Sequence, residues 1–261
     1  MGILNVTPDS FSDGNRFFSQ EKAVERALAM EADGADIIDI GGESTRPDAL
    51  PVSTEEELGR VVPVVERLAG RLRVPLSIDT TKAVVAEAAL AAGAEIINDI
   101  SAMTFDPRMA EVIAAAGAGV VLQHTRGTPV EMQKDTCYAD LVGEVKTFLA
   151  EAIRKASQSG IASERIVVDP GIGFGKDCRG NLEILRRLDE FSSLGRPILV
   201  GTSRKAFIGK VLDRNVSDRV FGTAATVALA LAGGASIFRV HDVREMRDVV
   251  DMSWAITQGI R

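Results

Sequence analysis

The chain is predicted to fold as an α/β barrel of the TIM (β/α)8 type, in a single domain spanning residues 1–261. Three observations predict it. Short β-branched runs alternate with amphipathic helical patterns along the whole length, the order expected when helices pack around a parallel sheet. Roughly eight such repeats fit into 261 residues, a length that α/β barrels commonly use for one domain. Nearly every apolar run also ends on a polar residue, and in a barrel those ends converge on the face where active sites sit. A doubly wound open sheet would line the same ends along one crevice instead.

Strands are expected at residues 2–5, 36–40, 76–79, 95–99, 120–124, 166–169, 198–201 and 237–241. They deliver Asn5, Asp39, Asp79, Asn98 with Asp99, His124, Asp169, Thr202 with Ser203, and Arg239 with His241 to the strand ends. Helices are expected over 21–32, 55–71, 83–92, 108–116, 141–159, 182–194, 224–231 and 243–256. The first of these sets Ala23, Val24, Ala27 and Leu28 on one face, the spacing of an amphipathic helix. Three connections, 6–19, 42–53 and 125–138, exceed the usual roughly 2–6 residues and are rich in Gly, Pro, Ser, Thr or Asp. Loops of that kind on the functional face are candidates for lids, and the third reads equally as a disordered surface excursion.

Composition narrows the partners. Thirty basic residues against 37 acidic ones give a net charge of −7, the wrong sign for general nucleic-acid affinity. An anionic ligand therefore needs a local basic cluster. Cys137 and Cys178 show no CxxC spacing and read as reduced thiols. No apolar run reaches the roughly 18 residues a membrane span requires. The opening Met1-Gly2-Ile3-Leu4-Asn5 lacks the basic flank and apolar stretch of a signal peptide, so a cytoplasmic location is expected.

Generic nucleotide and metal motifs fail. The stretch from Gly171 to Lys176 has Pro170 where a Walker A loop needs Gly and Asp177 where it needs Ser or Thr; Lys176 stands where the dinucleotide fingerprint needs Gly. With only His124 and His241 there is no HExxH zinc motif. What remains is a set of acceptors. Asp79, Asn98 and Asp169 come from different strands and would share one polar cup, where a flat heterocycle rich in N–H donors offsets the cost of burying them. Arg239 and His241 lie two apart and share a strand face. With Arg46, Arg204 and Lys205 they would form an anion clamp, since guanidinium forks suit carboxylates and phosphates.

The order of these motifs resembles one family over nearly the whole chain. Asn5-Val6-Thr7-Pro8-Asp9-Ser10-Phe11-Ser12-Asp13-Gly14 and Gly41-Gly42-Glu43-Ser44-Thr45-Arg46-Pro47 are similar to the two opening loops of dihydropteroate synthases. Ser77-Ile78-Asp79-Thr80, Ile97-Asn98-Asp99-Ile100, the stretch from Asp169 to Lys176, Ser203-Arg204-Lys205 and Arg239-Val240-His241-Asp242-Val243 continue the likeness. The resemblance implies a folate-pathway transferase that condenses 6-hydroxymethyl-7,8-dihydropterin diphosphate with p-aminobenzoate, releases pyrophosphate with Mg²⁺, and is a sulfonamide target. It implies that Asp79, Asn98, Asp169, Phe174 and Lys205 hold the pterin, with Asp79, Lys205 and Arg239 carrying catalysis. Thr45, Arg46, Arg239 and His241 would bind the diphosphate, Asn5 the Mg²⁺, and Phe11, Pro47 and Ser203 the aminobenzoate. A homodimer through helices late in the chain is implied as well.

Three departures accompany the likeness. The sequence starts almost inside the first expected strand, so most of the family's usual N-terminal extension is expected to be missing, and Gln123 and Thr202 stand where the family pattern has Met, which makes the pocket more polar. A methyltetrahydrofolate–corrinoid methyltransferase shares the Asp, Asn and Asp acceptors but needs no diphosphate clamp. A non-catalytic pterin-binding barrel needs no intact basic set.

Overall fold

The computed structural model of the chain describes residues 1–7, 16–46 and 49–259, residues 16–19 by their backbone alone. Strands β1 (Gly2–Asn5), β2 (Ile38–Gly41), β3 (Leu76–Asp79), β4 (Ile96–Asp99), β5 (Gly119–Gln123) and β6 (Ile166–Asp169) form one parallel sheet in sequential order. β7 (Leu199–Val200) and β8 (Ile237–Phe238) form a parallel pair. Parallel bridges Val168–Ile198 and Gly2–Val240 join that pair to β6 and β1, so the sheet closes on itself. The barrel expectation holds.

Alternation along each strand explains the two faces. Ile38 and Ile40, Ile78, Ile97, Val120 and Leu122, and Ile166 and Val168 belong to the main apolar cluster shared with the helices. Their neighbours in sequence, Asp39, Asp79, Asn98, Gln123 and Asp169, point to the other side, the barrel interior. A one-residue slip in register would reverse this division, which is why the strand pattern fixes the polar interior.

The helices are α1 (Arg16–Ala32), α2 (Thr54–Leu68), α3 (Ala83–Ala91), α4 (Met109–Ala116), α5 (Leu141–Gln158), α6 (Cys178–Arg186), α7 (Ala206–Leu212), α8 (Val220–Ala232) and α9 (Val243–Gln258). Caps in the loops start several of them. Ser53 accepts from the Glu56 amide, and Asp140 and Asp177 do the same for Gly143 and Gly180.

Several expectations shift. α1 begins five residues before the expected 21. The predicted 182–194 helix divides into α6 and a 3-10 segment, Leu188–Leu194. α7 was not foreseen: it has seven residues, and Lys205 at its N-cap makes no side-chain cap bond. β7 and β8 are two residues each, shorter than expected, because the closing strands keep few regular pairings. The third long loop is not a free lid. Arg126 bonds the Cys137 carbonyl, Gln133 and Tyr138 donate to the carbonyls of Gly173 and Gly175, and Met132 is buried against Ile100 and Phe174.

Candidate active site

The inward residues at the carboxyl ends of the strands build a cup. Asp79 on β3 and Asn98 on β4 are paired in register, and both are buried. A β-carbon at Gly41 would lie 3.7 Å from Asp79 Oδ2 and 3.8 Å from Asn5 Oδ1, so the two side chains converge beside this residue. On the far side Asp169 pairs in register with Gln123. Asp79 Oδ1, Asn98 Oδ1, Asp39 Oδ1 and Gln123 Nε2 are buried and find no hydrogen-bond partner among the described residues. Several such atoms in one barrel interior are costly unless a ligand or ordered water completes them.

Asp39 is the residue whose role the sequence reading missed. It accepts from Asn98 Nδ2 at 3.2 Å and from Arg239 Nε at 2.6 Å, while Arg239 Nη2 donates to Asp79 Oδ2 at 2.7 Å. The signal was present in the alternation Ile38-Asp39-Ile40, which turns the carboxylate inward. Arg239 therefore spans the floor of the cup between two carboxylates, with 18 % of its side chain exposed, and does not stand free as a clamp.

Burial sets the protonation behaviour. It pushes the Asp79 carboxyl up to about 7 even with Arg239 beside it, and the Asp169 carboxyl up to about 6 although the Gly171 amide donates to Oδ1 at 2.7 Å. Burial, then the neighbouring Arg239 charge, lowers Lys205 to about 8; Asp169 and Asp79 oppose that shift. Lys205 Nζ sits 4.3 Å from the centre of the Phe174 ring, a cation–π contact.

At the rim, Ser203 Oγ accepts from the His241 amide at 3.1 Å and lies 3.0 Å from His241 Nδ1. Burial, followed by the charges of Arg239 and Arg204, holds His241 down to about 4, so its ring is neutral at pH 7. In the tautomer protonated at Nε2, the Ser203 hydroxyl donates to Nδ1 and Nε2 is the ring's N–H donor. Arg204 leaves the clamp: it pairs with Asp242, and its carbonyl accepts from Arg219. Thr45 is half-buried and Arg46 exposed, and the Arg46 charge is felt at both Lys205 and His241. Behind that loop, Lys82 bonds both Glu43 and the buried Glu57, anchoring the loop root to α2.

Phe11 and Pro47 lie outside the described residues. Thr202 is buried with its hydroxyl accepting from Thr226 at 2.9 Å, so its polarity is spent on α8. Asp99 also turns out to be structural. It accepts from Ser101 and Met103 and caps the loop that follows β4.

The chain and its barrel match known proteins closely. The model of the pterin binding enzyme family matches residues 1–241. A dihydropteroate synthase from Synechocystis sp. is 50% identical over 98% of this chain and 89% of its own length. A Yersinia pestis dihydropteroate synthase solved with a sulfonamide drug superposes with a TM-score of 0.93 at 44% identity, covering 98% of this chain and 93% of that one. A Xanthomonas albilineans dihydropteroate synthase solved with 4-aminobenzoic acid gives 0.93 at 44% identity, covering 100% and 93%. With its acceptor cup at the carboxyl ends of an eight-stranded barrel, and with identity of this level over nearly its whole length, the chain belongs to the dihydropteroate synthases of the pterin binding enzyme family.

Proposed function

We propose that this chain joins 6-hydroxymethyl-7,8-dihydropterin diphosphate to p-aminobenzoate within one pterin-binding domain spanning residues 1–261. The observation that carries the assignment is the set of unpartnered buried oxygens on Asp39, Asp79 and Asn98, inward residues of β2, β3 and β4 on the same barrel as Lys205 and Arg239. A pterin's amino and ring N–H groups complement such acceptors. Asp79, Asn98, Asp169 and Lys205 hold the ring edge, and Phe174 packs beside it. His241 Nε2, Arg46 and Thr45 take the diphosphate at the rim, with Arg239 reaching it from the floor. Ser203, with Phe11 and Pro47, lines the aminobenzoate side.

The chemistry follows from that placement. The bond from the methylene carbon to the diphosphate oxygen breaks, and its electron pair leaves with pyrophosphate. Negative charge grows beside Arg46 and the His241 N–H at the rim, while Arg239, held by Asp39 and Asp79, adds its charge from the floor, and preorganised donors of this kind stabilise a leaving group. The carbon becomes cationic, and the carboxylates of Asp79 and Asp169 oppose that charge. The aniline nitrogen then donates its lone pair to carbon and loses a proton. Positioning and electrostatics supply the rate, with no covalent enzyme nucleophile.

Asn5 Oδ1 offers a hard, neutral oxygen beside the cup, and the described residues hold no group of three or more His, Cys, Asp or Glu that would cage a metal. That donor set fits Mg²⁺, which keeps several waters and is held largely by substrate phosphates. When bound it neutralises charge on the diphosphate. No helix among the described residues is long and apolar enough to cross a membrane, in keeping with the cytoplasmic location we assign. Phe221 and Leu229 on α8 and Met252 and Ile256 on α9 are exposed apolar residues on packed helices, which supports a homodimer there.

Calorimetry tests the assignment. Wild type should bind both the bare pterin and its diphosphate, and Asp79→Asn should bind neither well, because the amide turns a donor toward the ligand's donors. Equal binding of the bare pterin by both proteins would remove the cup from the account.

A further inference from the structure

Lys176 is among the largest side chains buried in the molecule, with 2 % of its surface exposed, and no step of the chemistry above uses it. Its Nζ lies 3.0 Å from the Gly171 carbonyl, 2.8 Å from the Phe174 carbonyl and 2.9 Å from His124 Nδ1. Burial lowers Lys176 to about 7 while the Asp169 charge opposes that shift; in its ammonium form it has three N–H donors, and all three have an acceptor within reach. Burial, reinforced by the Lys176 charge, keeps the His124 ring neutral, so toward the Lys176 ammonium Nδ1 accepts and Nε2 carries the proton. The ring is itself held in place, edge-on to Phe148 with centroids 4.9 Å apart.

These bonds fasten the loop that follows β6 onto the end of β5. The loop runs against the neighbouring backbone: a β-carbon at Gly171 would sit 1.9 Å from the His124 carbonyl, and Gly171, Gly173 and Gly175 all have positive φ. The same loop delivers two groups to the cup. Its Gly171 amide bonds Asp169 Oδ1 at 2.7 Å and sets the carboxylate's orientation, and its Phe174 ring carries Lys205 Nζ at 4.3 Å. The Gly171 and Phe174 carbonyls that Lys176 holds thus belong to the two residues that orient Asp169 and Lys205.

We propose that Lys176 and His124 are a positioning pair for the pterin half of the site: their bond fixes the loop that orients Asp169 and Lys205, and so sets affinity for the pterin ring without touching it. The proposal rests on the pterin reading of the cup. It makes a separable demand, because the aminobenzoate side and the diphosphate rim are built from other loops.

The test uses the full-length protein and begins with wild type, whose failure to bind pterin would count against the function and leave the strut to be judged by exchange alone. Lys176→Met keeps the length and apolar stem but removes the donors. Its folded fraction should bind the bare pterin roughly tenfold to a hundredfold more weakly, the scale of an ångström-sized misplacement of binding groups. The KM for p-aminobenzoate should change less than about threefold by the same reasoning. Amide exchange at 171–175 should accelerate in the variant whether or not ligand is present. His124→Asn, which keeps an acceptor for Lys176, should retain most of the affinity that His124→Leu loses, and this pair decides the matter if Lys176→Met fails to fold. Pterin affinity within threefold of wild type, parallel losses for both substrates, or equal effects of Asn and Leu at 124 would each overturn the proposal.

Discussion

Replacing Arg239 by Met tests the electrostatics of the floor most sharply. The substitution keeps an unbranched apolar stem and removes the guanidinium that bonds Asp39 Oδ2 at 2.6 Å and Asp79 Oδ2 at 2.7 Å. Asp39 is wholly buried and Asp79 nearly so, and both would lose their cation. Breaking a buried ion pair by removing one partner typically costs about 3–5 kcal/mol, because an uncompensated charge remains. At about 2–4 °C per kcal/mol for a domain of this general size, the melting temperature should fall by roughly 10 °C. Adding Asp39→Asn removes one of the stranded charges. The double variant should therefore be less destabilised than the sum of the singles, by about 1–3 kcal/mol. Urea unfolding of the four proteins gives the cycle. A loss below about 1 kcal/mol for Arg239→Met, or strict additivity with Asp39→Asn, would refute the bridge as a buried, coupled unit.

Other consequences are smaller and separate. Asp79 and Asp169 are raised to about 7 and 6 by burial, and a ligand presenting N–H donors requires them ionised. Pterin binding should then release protons near pH 6 and strengthen as pH rises from 5 to about 7.5, levelling above it; a flat calorimetric profile over that range would contradict the shifts. Gln123→Met removes a buried donor that has no partner, so the ligand-free protein should gain about 1 kcal/mol of stability. The same variant should bind pterin several-fold more weakly, and thermal scans with and without ligand read both effects; a gain in both would mean that the amide does not meet the ligand. Lys205→Met should weaken pterin binding and turnover while leaving the melting temperature within a few degrees. A large stability loss with normal kinetics per folded molecule would make Lys205 structural.

Much of this was legible in the chain because strands report on themselves. The runs at 2–5, 76–79 and 166–169 match β1, β3 and β6 to the residue, since each is a short, mostly apolar run ended by a polar residue, Asn5, Asp79 or Asp169. The acceptor set was legible for the same reason. Partners distant in sequence were not. Nothing local says that Arg239 reaches Asp39, two hundred residues away, or that Lys176 meets His124 across 52. The glycines at 171, 173 and 175 looked like a failed phosphate loop, yet their positive φ serves close approach to β5 and to Lys205. Likewise the composition of 125–138 suggested a lid, while the side chains of Arg126, Gln133 and Tyr138 tie it down.

The central claim is that the cup and rim couple pterin binding to loss of the diphosphate, and one assay addresses it directly. Pyrophosphate release is followed by a coupled enzyme with dihydropterin diphosphate, with and without p-aminobenzoate and Mg²⁺, and dihydropteroate is quantified in the same samples. The account predicts one pyrophosphate for each dihydropteroate, with release dependent on both p-aminobenzoate and Mg²⁺. Sustained release over many turnovers at the same rate without p-aminobenzoate to capture the cation, or tight binding of both substrates with no product, would contradict it.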